Sequence, residues 1–100
     1  MVTYQPDLAR LRRLLDAVAP QVAHVVVVDN GSGDDCLGWL RSLASQALTL
    51  VELGSNRGIA AAQNIGIAQA RKTGCSHLLL LDHDSIPAPT MVTDLLHAIG

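Results

Sequence analysis

The sequence predicts an α/β fold organised on a parallel, doubly wound sheet. Two observations carry that expectation. Strand-like runs alternate with helix-like runs through all 100 residues, joined by connections of a few residues. The run HVVVVD, 24–29, is β-branched and apolar without alternation, as a strand covered by helices on both faces should be. A chain of this length suits one domain with a real, if thin, core.

Residues 1–4, MVTY, lean towards β structure, and Pro6 stops the run. Four residues are short for an interior strand, usually about 5–6. The chain is therefore expected to lack a few upstream residues or to be a cut from a longer polypeptide. From Asp7, the apolar Leu8, Leu11, Leu14, Leu15 and Val18 recur at helical spacing, and Pro20 ends them. Strand 24–29 follows, then turn chemistry from Asn30 to Asp34. Leu37, Leu40, Leu43, Ala44 and Ala47 mark a second helix, and LTLVEL, 48–53, a third strand. A small-residue helix is expected over 58–72, with Gly74 just past its end. HLLLL, 77–81, reads as a fourth strand. After Pro87 and Pro89, Met91, Val92, Leu95, Leu96 and Ile99 outline a last amphipathic helix. Ligands of such sheets bind beyond the carboxyl ends of the strands. Tyr4, Asp29 with Asn30, and Asp82 with Asp84 all fall there.

Composition removes several classes of function. Apolar residues make up 49%, charged residues 16%, and the net charge is −2, so neither a disordered tail nor a polybasic nucleic-acid surface is indicated. Tyr4 and Trp39 are the only aromatic residues, which leaves no stacking platform for single-stranded nucleic acid. Cys36 and Cys75 are too few and too far apart for a disulfide framework or a zinc knuckle; they read as spectator thiols in a reducing compartment. No apolar run approaches the ~18 residues of a membrane span, and no signal peptide opens the chain. The expected location is the cytoplasm.

Three segments carry candidate chemistry. In VVVVDNGSGDD, 25–35, a strand ends on an acid and two glycines lead into a helix. It fails as a dinucleotide fingerprint because Cys36 stands at the third glycine position, and no lysine follows for a phosphate loop. Its plainest reading is a strand-to-helix turn with Ser32 or Asp34 as N-cap. That leaves unexplained why the strand ends on Asp29 and Asn30, whose side chains can bond a heterocycle or a ribose. In NRGIAAAQNIGIAQA, 56–70, the alanines and Gly66 suit close packing of a helix on the sheet, although a mid-helix glycine costs ~1 kcal/mol against alanine. Packing does not explain Asn56, Arg57, Gln63 or Asn64. A cation near a helix N-terminus, such as Arg57, opposes the helix dipole and is better suited to meeting an anion. In LLLLDHDS, 78–85, Asp82 and Asp84 point to the same side of an extended backbone. They can end a strand, act as the acid and aspartyl nucleophile of a phosphatase-type site, or hold Mg²⁺ or Mn²⁺, which take one or two carboxylates plus substrate phosphates. The metal reading uses every feature of the segment. His83 faces the other way, where packing beside the strand is its ordinary role.

Together these segments resemble the nucleotide-binding half of family 2 glycosyltransferases with the GT-A fold, a Rossmann-like arrangement. VTYQP, VVVDNGSGD, SNRGIAAAQNIGI and LLLLDHDS stand in the family's order and cover nearly the whole chain. Within that family they look most like bacterial rhamnosyltransferases, which transfer L-rhamnose from dTDP-L-rhamnose to cell-surface polysaccharide. The resemblance implies that residues 1–100 are the nucleotide-sugar-binding part of a truncated GT-A domain. By position, Thr3 and Tyr4 would border the nucleobase, and Asp29 and Asn30 would contact base and ribose. Many relatives carry a second aspartate where Asn30 stands. Arg57, Gly58, Gln63 and Asn64 would line the nucleotide edge, although Gln63 replaces an arginine found in some relatives. Asp82 would face the ribose or a metal-bound water, with His83 beside it as a further candidate nucleotide-sugar contact. Asp84 would coordinate Mn²⁺ or Mg²⁺ at the diphosphate. No catalytic base is expected within the chain; it would lie beyond Gly100, with the acceptor-binding half. The implied reaction is inverting and metal-dependent, onto a polysaccharide or lipid-linked acceptor, with no nucleic-acid partner. Peripheral attachment of the full-length protein to the inner membrane and self-association of the chain remain options.

Two rival classes fit parts of the pattern. One is a non-catalytic nucleotide- or metal-binding α/β module. The other is a phosphotransfer protein of the dehalogenase or receiver kind, which D-x-D with Ser85 resembles. Such proteins rely on a later lysine, and the fifteen residues after Ser85 contain none.

Overall fold

The structure is a computed structural model and describes residues 1–45, 47–74 and 78–80. Strand β1 covers Val2–Thr3, helix α1 Leu8–Val18, strand β2 Val25–Asp29, helix α2 Asp34–Leu43, strand β3 Leu48–Glu52 and helix α3 Ile59–Arg71. The order matches the sequence expectation through α3, with boundaries displaced by one or two residues except at the second helix, which starts at Asp34 and ends at Leu43, before the expected Ala44 and Ala47. The strands are parallel and lie in the order β1-β2-β3, with Thr3 opposite Asp29 and Asp29 opposite Glu52. That is the opening of a doubly wound sheet, and the α/β expectation holds.

Helix α1 forms where Leu11, Leu14, Leu15 and Val18 make one apolar stripe, and all four are buried. Asp7 caps it by accepting from the Arg10 amide at 3.1 Å. The helix ends at Val18, where Pro20 turns the chain into a short 3-10 segment, Ala19–Gln21. The α1 stripe, with Cys36 and Leu40 of α2, packs on Val25 and Val27 of β2. Each fully buried leucine contributes about 1.5–3 kcal/mol through removal of its surface from water. Arg10, Arg12 and Arg13 are exposed, as a solvated face of α1 requires.

Helix α3 covers β2 and β1. A Cβ added at Gly66 would stand 3.1 Å from Val28 Cγ2, so the mid-helix glycine admits β2 against the helix backbone. Val28 alternates with Val27 along β2 and so points to the face opposite the α1–α2 core. Ala62 and Ala70 of α3 are buried as well. Both faces of β2 are therefore covered, which explains its unbroken valines.

Two local expectations change. Neither Ser32 nor Asp34 caps α2; Gly33 holds the N-cap position without a side-chain bond, and Asp34 and Asp35 sit in the first turn, favourably placed for the helix dipole. Of the proposed fourth strand, Leu78–Leu80 are described and have no strand assignment, with Leu78 and Leu80 exposed. A leucine run supplies apolar surface without the β-branched preference of β2, and a strand exists only with a ladder partner. Residues 77 and 81, the D-x-D segment and the last helix lie outside the described residues. No helix among the described residues is long and apolar enough to cross a membrane.

Candidate functional site

Three loops meet at the carboxyl end of the sheet: 4–7 after β1, 30–33 after β2, and 53–58 after β3. Asp29 is their centre and is 1% exposed. Its Oδ1 accepts from Thr3 Oγ1 at 2.8 Å and from Ser32 Oγ at 2.5 Å. Its Oδ2 accepts from the Ser32 amide at 2.8 Å and the Gly31 amide at 3.2 Å. A carboxylate offers about four lone-pair sites, and here all are taken. A buried charge is tolerable on those terms. The side chain thus ties β1 and the β2 loop together, with no acceptor capacity left over for a ribose or a base.

Ser32 extends the tie, since its Oγ also accepts from the Gln5 amide at 2.9 Å. Gln5 has φ 44, directly before Pro6, a left-handed conformation that costs a side-chain-bearing residue about 1–3 kcal/mol. Beside it Tyr4 is 43% exposed. Sequence reasoning had no role for Gln5 and read Ser32 as a cap; a hydroxyl three residues after a strand-ending acid was the available signal.

Asn30 performs the same service for the third loop. It is 3% exposed. Its Oδ1 accepts from the Arg57 amide at 2.9 Å, and its Nδ2 donates to Asn56 Oδ1 at 3.1 Å. Asn56 Oδ1 also accepts from the Gly58 amide at 2.8 Å. The loops touch at a second point: Gly31 has φ 102, and a Cβ there would lie 3.0 Å from the Asn56 amide nitrogen and from Ser55 Cα.

Of the expected site residues, the structure joins Thr3, Asp29, Asn30, Arg57 and Gly58 in this network, with Tyr4 on its rim. Arg57 is exposed, its guanidinium 3.5 Å from the Leu53 carbonyl. Helix α3 then begins without a side-chain cap and without an acid in its first turn. Open first-turn amides beside an arginine favour an anion. Gln63 is half-buried and Asn64 exposed in α3; neither hydrogen-bonds to the network among the described residues. Asp82, His83 and Asp84 lie outside the described residues. Among those described, no cluster of three or more His, Cys, Asp or Glu side chains could hold a metal ion.

Elsewhere, burial pushes the Cys36 thiol up, opposed in part by the Ser32 hydroxyl, which suits a spectator in the core. A cavity of about 360 Å³ lies at the other end of the sheet, bordered by Arg12, Asp16, Trp39, Leu43 and Leu48. That is the wrong end for a ligand of this architecture.

No solved structure matches the chain. A protein of Shigella flexneri described as dTDP-rhamnosyl transferase RfbF is 38% identical over 85 residues, which are 85% of this chain. The chain spans 28% of that relative's length. The family model described as Glycosyl transferase family 2 matches residues 1–100, and the chain belongs to that family.

Proposed function

We propose that this chain is the nucleotide-sugar-binding part of a glycosyltransferase whose donor is dTDP-L-rhamnose and whose acceptor is a polysaccharide or a lipid-linked saccharide. The observation that carries the reading is the identity to a protein described as a dTDP-rhamnosyl transferase. The polar rim at the carboxyl ends of β1, β2 and β3 supports it, because ligands of this architecture bind there.

In this reading Thr3 and Tyr4 border the base, and Asp29 and Asn30 shape the floor beneath base and ribose. Arg57, Gly58 and the α3 N-terminus face the diphosphate, with Gln63 and Asn64 further along the same edge. Asp84 and Asp82, with His83 between them in the sequence, supply the carboxylates for Mn²⁺ or Mg²⁺. Carboxylates of that number suit a hard cation that also takes phosphate oxygens. When bound, such a cation supplies positive charge to the diphosphate as the anomeric C–O bond breaks. The acceptor alcohol needs a general base, which we assign to an acceptor-binding half beyond Gly100. Attack from the face opposite the leaving diphosphate inverts the anomeric centre.

Calorimetric titration of the protein with dTDP, with and without MnCl₂, tests the reading. The expected result is binding strengthened by Mn²⁺, a gain that Asp84→Ala abolishes. Failure of the unaltered protein to bind dTDP in MnCl₂ overturns it.

A further inference from the structure

Asn56 has no place in the function proposed so far, yet its side chain closes the loop that carries Arg57. The orientations of the two amides follow from the backbone. The Arg57 and Gly58 amides are both donors, so each requires a carbonyl oxygen: Asn30 Oδ1 for Arg57 at 2.9 Å, Asn56 Oδ1 for Gly58 at 2.8 Å. With those oxygens fixed, Asn30 Nδ2 is left facing Asn56 Oδ1, and it donates there at 3.1 Å. Flipping either amide would set a donor against a backbone donor or an oxygen against an oxygen. The arrangement therefore has one self-consistent state. Asn30 is anchored in turn, since its own amide donates to the Thr3 carbonyl at 2.7 Å.

We infer that Asn56 is a positioning residue, which acts through Asn30 to hold residues 56–58 against the end of β2 and so aims Arg57 and the first turn of α3 at the diphosphate. This rests on the nucleotide reading above. Asn56 is exposed, whereas Asn30 is 3% exposed, so the clasp is closed from the solvent side. Removing its outer half leaves the strands and both helix faces of β2 untouched. Asparagine suits the position because one oxygen can accept two bonds without placing a carboxylate beside an anionic ligand.

The test pairs amide hydrogen exchange with dTDP titration in MnCl₂, using the full-length protein and its Asn56→Ala and Asn56→Asp variants. In Asn56→Ala, exchange at Arg57 and Gly58 should rise at least tenfold, exchange at Val27 and Val28 should stay unchanged, and the Kd for dTDP should rise about tenfold. Asn56→Asp keeps the acceptor, and exchange at both amides should return to within about twofold of the unaltered protein. Unchanged exchange at Arg57 and Gly58 in Asn56→Ala overturns the clasp, and so does loss of protection at Val27 and Val28. Raised exchange with an unchanged Kd overturns the positioning role while leaving the nucleotide reading in place. No dTDP binding by the unaltered protein overturns that reading, and the positioning role with it.

Discussion

Gly31→Ala tests whether the loops after β2 and β3 are built in contact. Gly31 has φ 102, and its added Cβ would meet the Asn56 amide nitrogen and the Ser55 Cα and carbonyl carbon, each at 3.0 Å. All three are backbone atoms and cannot swing aside as a side-chain tip could. A left-handed backbone costs an L-residue about 1–2 kcal/mol, and forcing a methyl into packed surroundings costs about 1–3 kcal/mol more. Against this, alanine restricts the unfolded chain and returns about 0.4–1 kcal/mol. The net expectation is a loss of about 2–3 kcal/mol. With a urea slope near 2 kcal/mol/M, the unfolding midpoint should fall by about 1–1.5 M. Gly38→Ala provides the opposite sign within one protein. Gly38 lies inside α2, and a Cβ added there would have nothing within 4 Å, so alanine should stabilise by about 0.8–1 kcal/mol. A Gly31→Ala midpoint that corresponds to less than about 0.5 kcal/mol, the usual range of an inert surface change, would refute the contact between the two loops.

Three further perturbations have signs fixed by the geometry. Asp29→Ala removes the acceptor of two amides and two hydroxyls and should cost about 3 kcal/mol or more. Asp29→Asn can keep its oxygen on the Gly31 and Ser32 amides and donate its NH₂ to the two hydroxyl oxygens, at the cost of the acceptor for their own protons, so a loss smaller than that of Asp29→Ala is expected; urea unfolding of both checks the order. Gly66→Ala gains about 1 kcal/mol of helix propensity but presses on Val28 Cγ2 at 3.1 Å. It should stabilise more in a Val28→Ala background than in the unaltered one, which a double-mutant cycle reads. The Arg41 guanidinium holds the Glu52 carboxyl below its ordinary value through bonds of 3.0 and 2.5 Å. A depressed carboxyl stabilises above its unfolded pKa and loses that contribution as pH falls through the lower folded value. Glu52→Gln should therefore lower stability slightly at pH above the unfolded carboxyl pKa, with the difference from the unaltered protein vanishing in acid; the effect is weak because both partners are exposed, and urea unfolding across pH reads it.

The element order was legible because hydrophobic period carries it. Four valines in a row specified a strand covered on both faces, and Leu11, Leu14, Leu15 and Val18 specified the buried side of α1. Gly66 and its alanines announced a close approach, though not to which residue; only the fold brings Val28 there. The polar rim was legible in part. Strand ends picked out Tyr4, Asp29 and Asn30, since a parallel sheet concentrates function at its carboxyl edge, whereas Thr3 entered only through the family resemblance. Their roles were not legible, because an aspartate that meets a ligand and one that ties loops look alike as letters. Ser32 and Asn56 show why. Each acts on a residue far away in sequence: Ser32 reaches the Gln5 amide, and Asn56 reaches Asn30. Such partners become neighbours only once the strands align.

The charges around the rim decide what it can attract. Asp29 is enclosed by four donors, Glu52 is paired with Arg41, and Asp34 and Asp35 lie on the first turn of their own helix. Arg57 and the uncapped first turn of α3 have no such compensation among the described residues. Among the described residues, the corner formed by Arg57 and the first turn of α3 is thus locally positive in a chain of net charge −2, and local field, not net charge, governs a small ligand at close range. On the proposed reading a diphosphate would meet two independent cationic supports, Arg57 directly and a divalent ion through Asp84. Arg57→Ala should therefore weaken dTDP binding by a similar factor in MnCl₂ and in EDTA, whereas Asp84→Ala should weaken it only in MnCl₂. An exposed arginine bonding a phosphate contributes about 1.5–3 kcal/mol, a fall in affinity of about tenfold or more. Calorimetry of the two variants under both conditions reads the difference. An Arg57→Ala effect that vanished in EDTA would mean that the arginine serves the metal-bound state alone, and the picture of two separate supports would fall.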